Sequence, residues 1–135
     1  MGERTSVDVE WIGNGSFVAK DSEGHSTLIQ VGKRESLSPS QLFLASLASC
    51  SLVDVVSIMG KRRKKLTVAK ARVEGERVDG YPTRYSKIKV TYYVKGPDVT
   101  GEESVRAIEL SQSKYCSVSL TVKNGAQVEW TLAEE

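Results

Sequence analysis

The first part of the chain alternates apolar and polar positions, which is the period of strands that bury one face. Two turn signals, Gly13-Asn14-Gly15 and Ser22-Glu23-Gly24, divide this alternation into three segments. The pattern therefore predicts a meander of strands within residues 1–36. The predicted strands cover residues 6–11, 16–20 and 27–31.

A long apolar helix is predicted next. Ser38 supplies a hydroxyl for the N-cap, Pro39 suits the first helical position, and Gln41 completes a capping box. From residue 42 to residue 59 the side chains are apolar or small on almost every side. A helix of this composition is normally covered all round. We therefore expect residues 39–60 to form a central, buried helix.

The second half of the chain predicts a hairpin followed by a second helix. Alternating apolar residues indicate strands at 67–77 and 84–94, within a hairpin that spans residues 66–95. A second capping box, at residues 100–103, opens a helix that we expect over residues 101–113.

The C-terminal segment, residues 116–133, has a mixed pattern. Residues 117–122 fit either a short helix or a strand, and periodicity alone leaves both alternatives open. A turn signal at Asn124-Gly125 precedes alternating residues that predict a final strand over residues 127–132.

The composition is that of an ordinary globular protein. The chain has 135 residues, 39% of them hydrophobic and 27% charged, which predicts a single domain over residues 1–135. No uninterrupted apolar run is long enough to cross a membrane, and the first residues lack the features of a secretory signal. We therefore expect a cytoplasmic location and no membrane partner.

A basic run, Lys61 to Lys65, follows the predicted central helix. Positive charge at this end favourably opposes the negative pole of the helix dipole, so a solvated helix end is the simpler interpretation. A nucleic-acid surface is the alternative, and it predicts an affinity that falls steeply with salt. The net charge is only +2, and we expect no nucleic-acid partner.

The chain contains two cysteines, and in a reducing compartment a pair is more plausibly transient and catalytic than a permanent staple. Cys50 lies in the middle of the apolar helix, where an isolated cysteine is usually an inert small hydrophobe. Cys116 lies just after one helix and beside Lys114, so it is a candidate reactive thiolate or disulfide partner.

Other polar residues narrow the chemistry. The single histidine, His25, supports neither a Cys-His pair nor a zinc site and is interpreted as a surface loop residue. Gly13 and Gly15 lack the later glycine of a dinucleotide fingerprint, so no nucleotide cofactor is expected. We expect no other cofactor and no metal. Asp54 shares a helix face with Cys50 and must be hydrogen-bonded or paired to be tolerated there.

Two blocks of sequence, SPSQLFLASLASCSLVDVVSIM (38–59) and LSQSKYCSVSL (110–120), resemble the OsmC/Ohr family, specifically its OsmC-like branch. The resemblance covers essentially the whole chain, and both cysteines stand at the family's positions. It implies an α+β fold with antiparallel sheets around the long buried helix. It also implies an intertwined homodimer whose active site is lined by both subunits.

The resemblance further implies the reaction. Cys50 would be the peroxidatic thiol that attacks an organic hydroperoxide, and Cys116 would resolve the resulting sulfenic acid to a disulfide. A dithiol would then reduce the disulfide, without any cofactor. The implied role is peroxide detoxification under stress, with the apolar helix supplying a pocket for the organic part of the peroxide.

The chain departs from the family pattern at the groups that usually hold the thiolate. Typical members have a carboxylate just after the proline that opens the long helix, where this chain has Ser40 and Gln41. An arginine in the first strands is also missing. We expect Arg34 or Lys33 to supply the cation, Gln41 to orient Arg34 or contact the peroxide, and the thiol chemistry to be slower or different.

A non-catalytic alternative also fits the sequence. The same apolar pocket at the dimer interface would bind a small hydrophobic molecule, while the cysteines would be inherited but idle. Ligand binding that survives Cys50→Ser would favour this binding module over the enzyme.

Overall fold

The computed structural model describes residues 2–32 and 34–133. Its residues group into two compact units, one ending at Phe43 and the other beginning at Leu44. Each unit is described by itself below. Lys33, one of the two cations expected near the thiolate, lies outside the described residues.

The N-terminal unit contains a three-stranded antiparallel sheet in the order β1-β2-β3, as the alternation predicted. The strands are β1 (Asp8–Gly13), β2 (Ser16–Lys20) and β3 (Ser26–Gln30). The turn between β1 and β2 places three consecutive residues at positive φ, which explains why Gly13-Asn14-Gly15 occurs there.

One face of this sheet is apolar. Trp11 pairs with Phe17, and Phe17 pairs with Ile29, so these three side chains lie on the same face. Trp11 is 68% exposed and Val9 is 61% exposed. The alternation that predicts the strands thus leaves an apolar surface that the single chain does not cover.

The long helix, α1 (Pro39–Lys61), begins and ends within one residue of its predicted bounds. Its capping box is formed, because the Gln41 amide accepts a hydrogen bond from the Ser38 N–H at 3.0 Å and the Gln41 N–H donates to the Ser38 hydroxyl at 3.4 Å. By length and composition α1 could also cross a membrane, a property that it shares with core helices of soluble proteins.

Within the single chain, α1 buries only one face. Val55 and Met59 are fully buried and form the centre of the core with Ala107. On the opposite face, Val53 is 66% exposed and Val56 is 47% exposed. We expected α1 to be covered on all sides. In the single chain this is not so, because the described residues of the chain pack against one face of the helix and leave Val53 and Val56 exposed.

The C-terminal unit begins with the predicted hairpin of β4 (Val68–Arg77) and β5 (Tyr85–Lys95). Helix α2 (Gly101–Leu110) follows, with the capping box of Thr100 and Glu103 formed as expected. The helix is shorter than the predicted 101–113, because the chain widens into a single π-helical turn at Ser111–Tyr115. Residues 117–122, left open on pattern, are helical within α3 (Ser117–Asn124).

The basic run behaves as a helix end. Lys61, Arg62 and Arg63 are exposed. Lys64 is partly buried, and its ammonium group lies 3.4 Å from the Glu103 carboxylate and donates to the Asp98 carbonyl at 2.9 Å. Lys64, the partly buried cation of this run, therefore interacts with the capping residues of α2.

The predicted final strand at 127–132 is wrong for the single chain, in which residues 126–133 form no regular structure. Val128, Trp130 and Leu132 alternate as a strand would, but they are 90%, 89% and 83% exposed. A strand needs the edge of another strand for its hydrogen bonds, and this segment has no such partner among residues 2–32 and 34–133.

Candidate active site around Cys50 and Cys116

Both cysteines are free thiols in the C-terminal unit. Cys50 lies on α1 and is partly buried, whereas Cys116 lies between the π turn and α3 and is fully buried. Cys116 is the N-cap residue of α3, and its sulfur accepts a hydrogen bond from the Ser119 N–H at 3.5 Å. Cys116 lies just past the second predicted helix, as expected, and the helix that follows it is one of the two alternatives left open for residues 117–122.

The π turn fixes the start of α3. The Cys116 N–H donates to the Ser111 carbonyl at 2.7 Å, five residues back, which closes the wider turn. Cys116 then adopts an extended conformation before α3 begins. A residue added to the helical turn in this way redirects the chain, and π turns are frequent at functional sites.

The Cys50 thiol lies against the amino end of α3. Burial acts to raise its pKa, but the Val118 N–H, the Cys116 side chain and the Ser117 hydroxyl hydrogen-bond to the sulfur and together lower the pKa below the ordinary value. The negative charge of Asp54 opposes them and raises the pKa. Unpaired N–H groups at a helix start favour an anion, so the site stabilises a thiolate.

Cys116 is positioned to respond to that thiolate. Its side chain hydrogen-bonds with Cys50 and also lies 4.0 Å from the Leu47 carbonyl oxygen. The thiol proton of Cys116 therefore has two acceptors, the Leu47 carbonyl oxygen and the Cys50 sulfur. The Cys50 sulfur is also the atom that the Cys116 sulfur would have to attack. The two reduced thiols are close enough for the Cys116 side chain to lower the pKa of Cys50.

A chain of hydrogen bonds lies beside the thiols and was not predicted from the sequence. The Ser111 hydroxyl donates to the Asp54 carboxylate at 2.8 Å and lies 2.9 Å from the Ser51 hydroxyl. Ser51 is in turn 2.6 Å from the Tyr92 hydroxyl, which accepts from the Gln112 amide at 2.8 Å. Asp54 is thus hydrogen-bonded, as its place in an apolar helix required.

The supporting residues expected from the sequence occupy different places. In the N-terminal unit, the Arg34 guanidinium donates to the Gln41 amide oxygen at 2.9 Å. Lys114 is exposed, and its ammonium group lies 5.5 Å from the centre of the Tyr115 ring. A role for Arg34, Gln41 or Lys114 at the Cys50 thiolate stays a prediction.

A cavity of about 470 Å³ opens on the same unit. Its walls are mainly apolar side chains of β5, α2 and α3, and α1 contributes only Leu47 rather than the broad surface that the sequence suggested. Ser119 and Lys123 also line it, and none of its lining residues is acidic. The Ser119 hydroxyl is buried and has no hydrogen-bond partner among the described residues.

Asp21, Glu23 and His25 form the one cluster of possible metal ligands among residues 2–32 and 34–133. His25 is exposed, as expected, and its ring nitrogen lies 2.7 Å from the Asp21 carboxylate. The other Asp21 oxygen accepts from the Glu23 and His25 N–H groups. The cluster closes the turn between β2 and β3 through its own hydrogen bonds.

Comparison with known proteins agrees with this fold. Residues 32–131 match the family model described as OsmC-like protein. Over 121 residues the chain is 29% identical to the protein YhfA of Escherichia coli K12, covering 89% of this chain and 90% of that protein. The chain belongs to the OsmC family.

Solved structures show the same architecture. A hypothetical protein from Aquifex aeolicus VF5 is 32% identical and superposes with a TM-score of 0.80, covering 92% of this chain and 90% of that one. The organic hydroperoxide resistance protein OhrB of Bacillus subtilis, 14% identical, superposes with a TM-score of 0.59 over 91% and 93% of the two chains. The α+β fold with antiparallel sheets is thereby confirmed, and family membership supports a role in redox or stress chemistry.

Proposed function

We propose that this protein is a cysteine-based hydroperoxide reductase, with Cys50 as the peroxidatic thiol and Cys116 as the resolving thiol. The observation that carries the proposal is the proximity of the two reduced thiols at the amino end of α3, where hydrogen bonds lower the pKa of Cys50 below its ordinary value. A low thiol pKa, partial exposure and an adjacent resolving cysteine are together typical of redox-active cysteines.

The proposed reaction has three steps. The Cys50 thiolate attacks the distal oxygen of the hydroperoxide, the O–O bond breaks, and the alkoxide leaves as the alcohol after taking a proton. Cys116 then attacks the sulfur of the Cys50 sulfenic acid, so that an S–S bond forms and water leaves. An external dithiol reduces this disulfide by thiol-disulfide exchange and is itself oxidised.

The protein contributes electrostatic stabilisation of the thiolate. The donors that lower the pKa of Cys50 include the Val118 N–H and the Ser117 hydroxyl, which are neutral groups rather than a guanidinium. Since such neutral donors stabilise an anion less than a salt-bridged arginine does, the reaction should be slower than in members that have both groups.

The protein is further proposed to act as a homodimer in the cytoplasm. Apolar residues on α1 and on the N-terminal sheet remain exposed in the single chain, which supports a partner subunit. The substrate would be an organic hydroperoxide, because α1, which carries Cys50, exposes the apolar side chains of Val53 and Val56.

The test is a thiol titration of reduced protein with one equivalent of cumene hydroperoxide, and separately with hydrogen peroxide. Free thiols are counted and the disulfide is mapped by mass spectrometry. The proposal expects an intramolecular Cys50–Cys116 bond that forms faster with the organic peroxide. Two unreacted thiols after prolonged exposure would exclude it.

Variants separate the two roles. Cys50→Ser should abolish peroxide consumption, whereas Cys116→Ser should still react once and then over-oxidise at Cys50, because the sulfenic acid is no longer resolved. Equal loss of the first turnover in both variants would contradict the assignment.

A non-catalytic binding module is the second candidate, and the cavity favours it. The cavity volume suits a small molecule, and its walls are mainly apolar. Its polar groups include the Lys123 ammonium group and the Ser119 hydroxyl, which has no hydrogen-bond partner among the described residues. Lys123 already donates to the Gln112 carbonyl at 3.0 Å, which holds the cation at the cavity. An apolar molecule with an anionic end would fit these groups.

Decanoate is a suitable probe, with decan-1-ol as its neutral counterpart. Saturable decanoate binding to Cys50→Ser protein, weakened by Ser119→Ala and Lys123→Met but not by Lys89→Met, would support the binding module, because Lys89 is on β5 but does not line this cavity. Absence of binding, or equal binding of the alcohol by every variant, would remove it.

A further inference from the structure

The hydrogen-bond chain from Gln112 to Asp54 has a defined direction. An ionised carboxylate only accepts hydrogen bonds. The Ser111 hydroxyl therefore donates its one proton to the Asp54 carboxylate. Ser51 then donates to Ser111, and Tyr92 donates to Ser51. The ionised carboxylate at one end therefore fixes the orientation of every hydroxyl in the chain.

This chain joins three elements that flank the thiols. Ser51 and Asp54 are on α1, one and four residues after Cys50, while Tyr92 is on β5. Ser111 opens the π turn that ends at Cys116, and its carbonyl accepts the Cys116 N–H at 2.7 Å. One residue thus contacts the helix of Cys50 through its hydroxyl and the backbone of Cys116 through its carbonyl.

We propose that Asp54 and Ser111 are positioning residues that hold Cys116 against Cys50, and that they set the rate of disulfide formation rather than the rate of the peroxide step. The inference rests on the proposed function and concerns its second step. Ser111 and Ser51 are fully buried, so loss of one partner leaves buried polar groups unsatisfied and frees the π turn to relax.

The two chemical steps depend differently on this link. Attack on the peroxide requires only the Cys50 thiolate and an approach for the substrate. Attack of the Cys116 sulfur on the Cys50 sulfenic acid requires the two sulfurs to align as the S–O bond breaks and water leaves. Misplacement by about 1 Å can slow such a step by up to about a hundredfold.

Ser111→Ala is the primary test, with Ser113→Ala as its matched control. Ser113 lies in the same π turn, but it is exposed and its hydroxyl donates to the Glu109 carbonyl, outside the chain. Stopped-flow measurement separates loss of peroxide from formation of the disulfide. We expect Ser111→Ala to slow disulfide formation by on the order of tenfold and to accumulate Cys50 sulfinic acid, with the first step close to wild type.

Asp54 provides a conservative rescue. An asparagine at this position can still accept the Ser111 hydrogen bond, whereas an alanine cannot. Asp54→Ala should therefore slow disulfide formation as Ser111→Ala does, and Asp54→Asn should restore it. A merely structural role for Asp54 would not predict that rescue. If either alanine variant fails to fold, Tyr92→Phe, which removes the Tyr92 donor to Ser51, should give a smaller slowing in the same step.

The outcomes distinguish this inference from the proposed function. If wild type consumes peroxide and Ser111→Ala and Asp54→Ala form the disulfide at the wild-type rate, the positioning role is wrong while the reductase stands. If both variants instead lose the peroxide step, the chain serves the thiolate rather than Cys116, and the inference is again wrong. If wild type forms no disulfide, the proposed function itself fails.

Discussion

At the scale of single residues, neighbouring groups shift the pKa of the Cys50 thiol in opposite directions. Burial and the Asp54 charge each raise its pKa, while the donors at the amino end of α3 lower it, and the donors prevail. The result is a thiolate site built from a backbone N–H, a hydroxyl and a second thiol. None of these donors carries a formal charge.

Ser117→Ala should raise the pKa of Cys50, because it removes one of the hydrogen bonds that stabilise the thiolate. The pH dependence of Cys50 alkylation by iodoacetamide, followed by mass spectrometry, measures this change. Ser113→Ala is the matched control, since the Ser113 hydroxyl is bonded to the Glu109 carbonyl instead. An unchanged alkylation profile in Ser117→Ala would show that this hydroxyl does not hold the thiolate.

The same pKa shift links stability to pH. Because the folded pKa of Cys50 is lowered, folding favours the thiolate, and the stabilisation is complete only above the unfolded value of about 8.5. It is lost as the pH falls through the folded pKa. Reduced wild type should therefore gain stability relative to Cys50→Ser as the pH rises across this window, measured by urea midpoints. A difference that is constant with pH would contradict the shift.

The sequence singled out the two cysteines as candidate site residues but did not reveal their surroundings. Two cysteines within family-like blocks were readable as a redox pair, and Asp54 was recognised as needing a partner. The Val118 N–H could not be predicted, because every residue but proline has a backbone donor and only the fold selects one. Ser51 and Ser111 had a weak signal, as small hydroxyls in otherwise apolar helical stretches, whereas Tyr92 looked like an ordinary strand residue.

The elements were predicted where local chemistry determines them. Both capping boxes occur as read from the sequence, and α1 agrees with its predicted bounds because Ser38 and Gln41 define its start. The π turn was missed, since a widened turn has the same composition as the helix before it and is stabilised here by Ser111 contacts with another element. The final strand was wrongly predicted, because alternation cannot supply a pairing partner.

Thr100→Ala tests the element that precedes the π turn. The Thr100 hydroxyl accepts the Glu103 N–H at 3.1 Å, and the Glu103 carboxylate accepts the Thr100 N–H at 3.1 Å. Loss of an N-cap of this kind costs about 1 kcal/mol of unfolding free energy. Urea unfolding should show this loss for Thr100→Ala and almost none for the exposed Thr5→Ala. Equal midpoints for both variants would mean that the cap does not stabilise α2.

On the scale of the whole molecule, the chain buries few of its apolar residues. The buried hydrophobic residues of the described chain are Leu47, Ala48, Val55, Met59, Ala107 and Cys116. Larger side chains stay exposed, including Trp11 at 68% and Trp130 at 89%. Exposed apolar surface of this extent is typical of an interface between subunits, and the OsmC resemblance implied an intertwined homodimer.

The uncovered face of α1 makes the dimer testable by a single substitution. Val53 is 66% exposed on a helix whose opposite face carries the core residue Val55, so Val53→Asp should leave the fold of one chain intact. In a dimer that buries Val53, the aspartate would be desolvated without a partner and would weaken association. Val105→Asp is the matched control, because Val105 is 55% exposed on the otherwise charged face of α2.

Sedimentation should show wild type and Val105→Asp as dimers and Val53→Asp shifted towards monomer. Tryptophan emission of Val53→Asp should move to the red as Trp11 and Trp130 become exposed. A monomeric wild type, or a Val53→Asp protein that stays dimeric, would remove α1 from the interface.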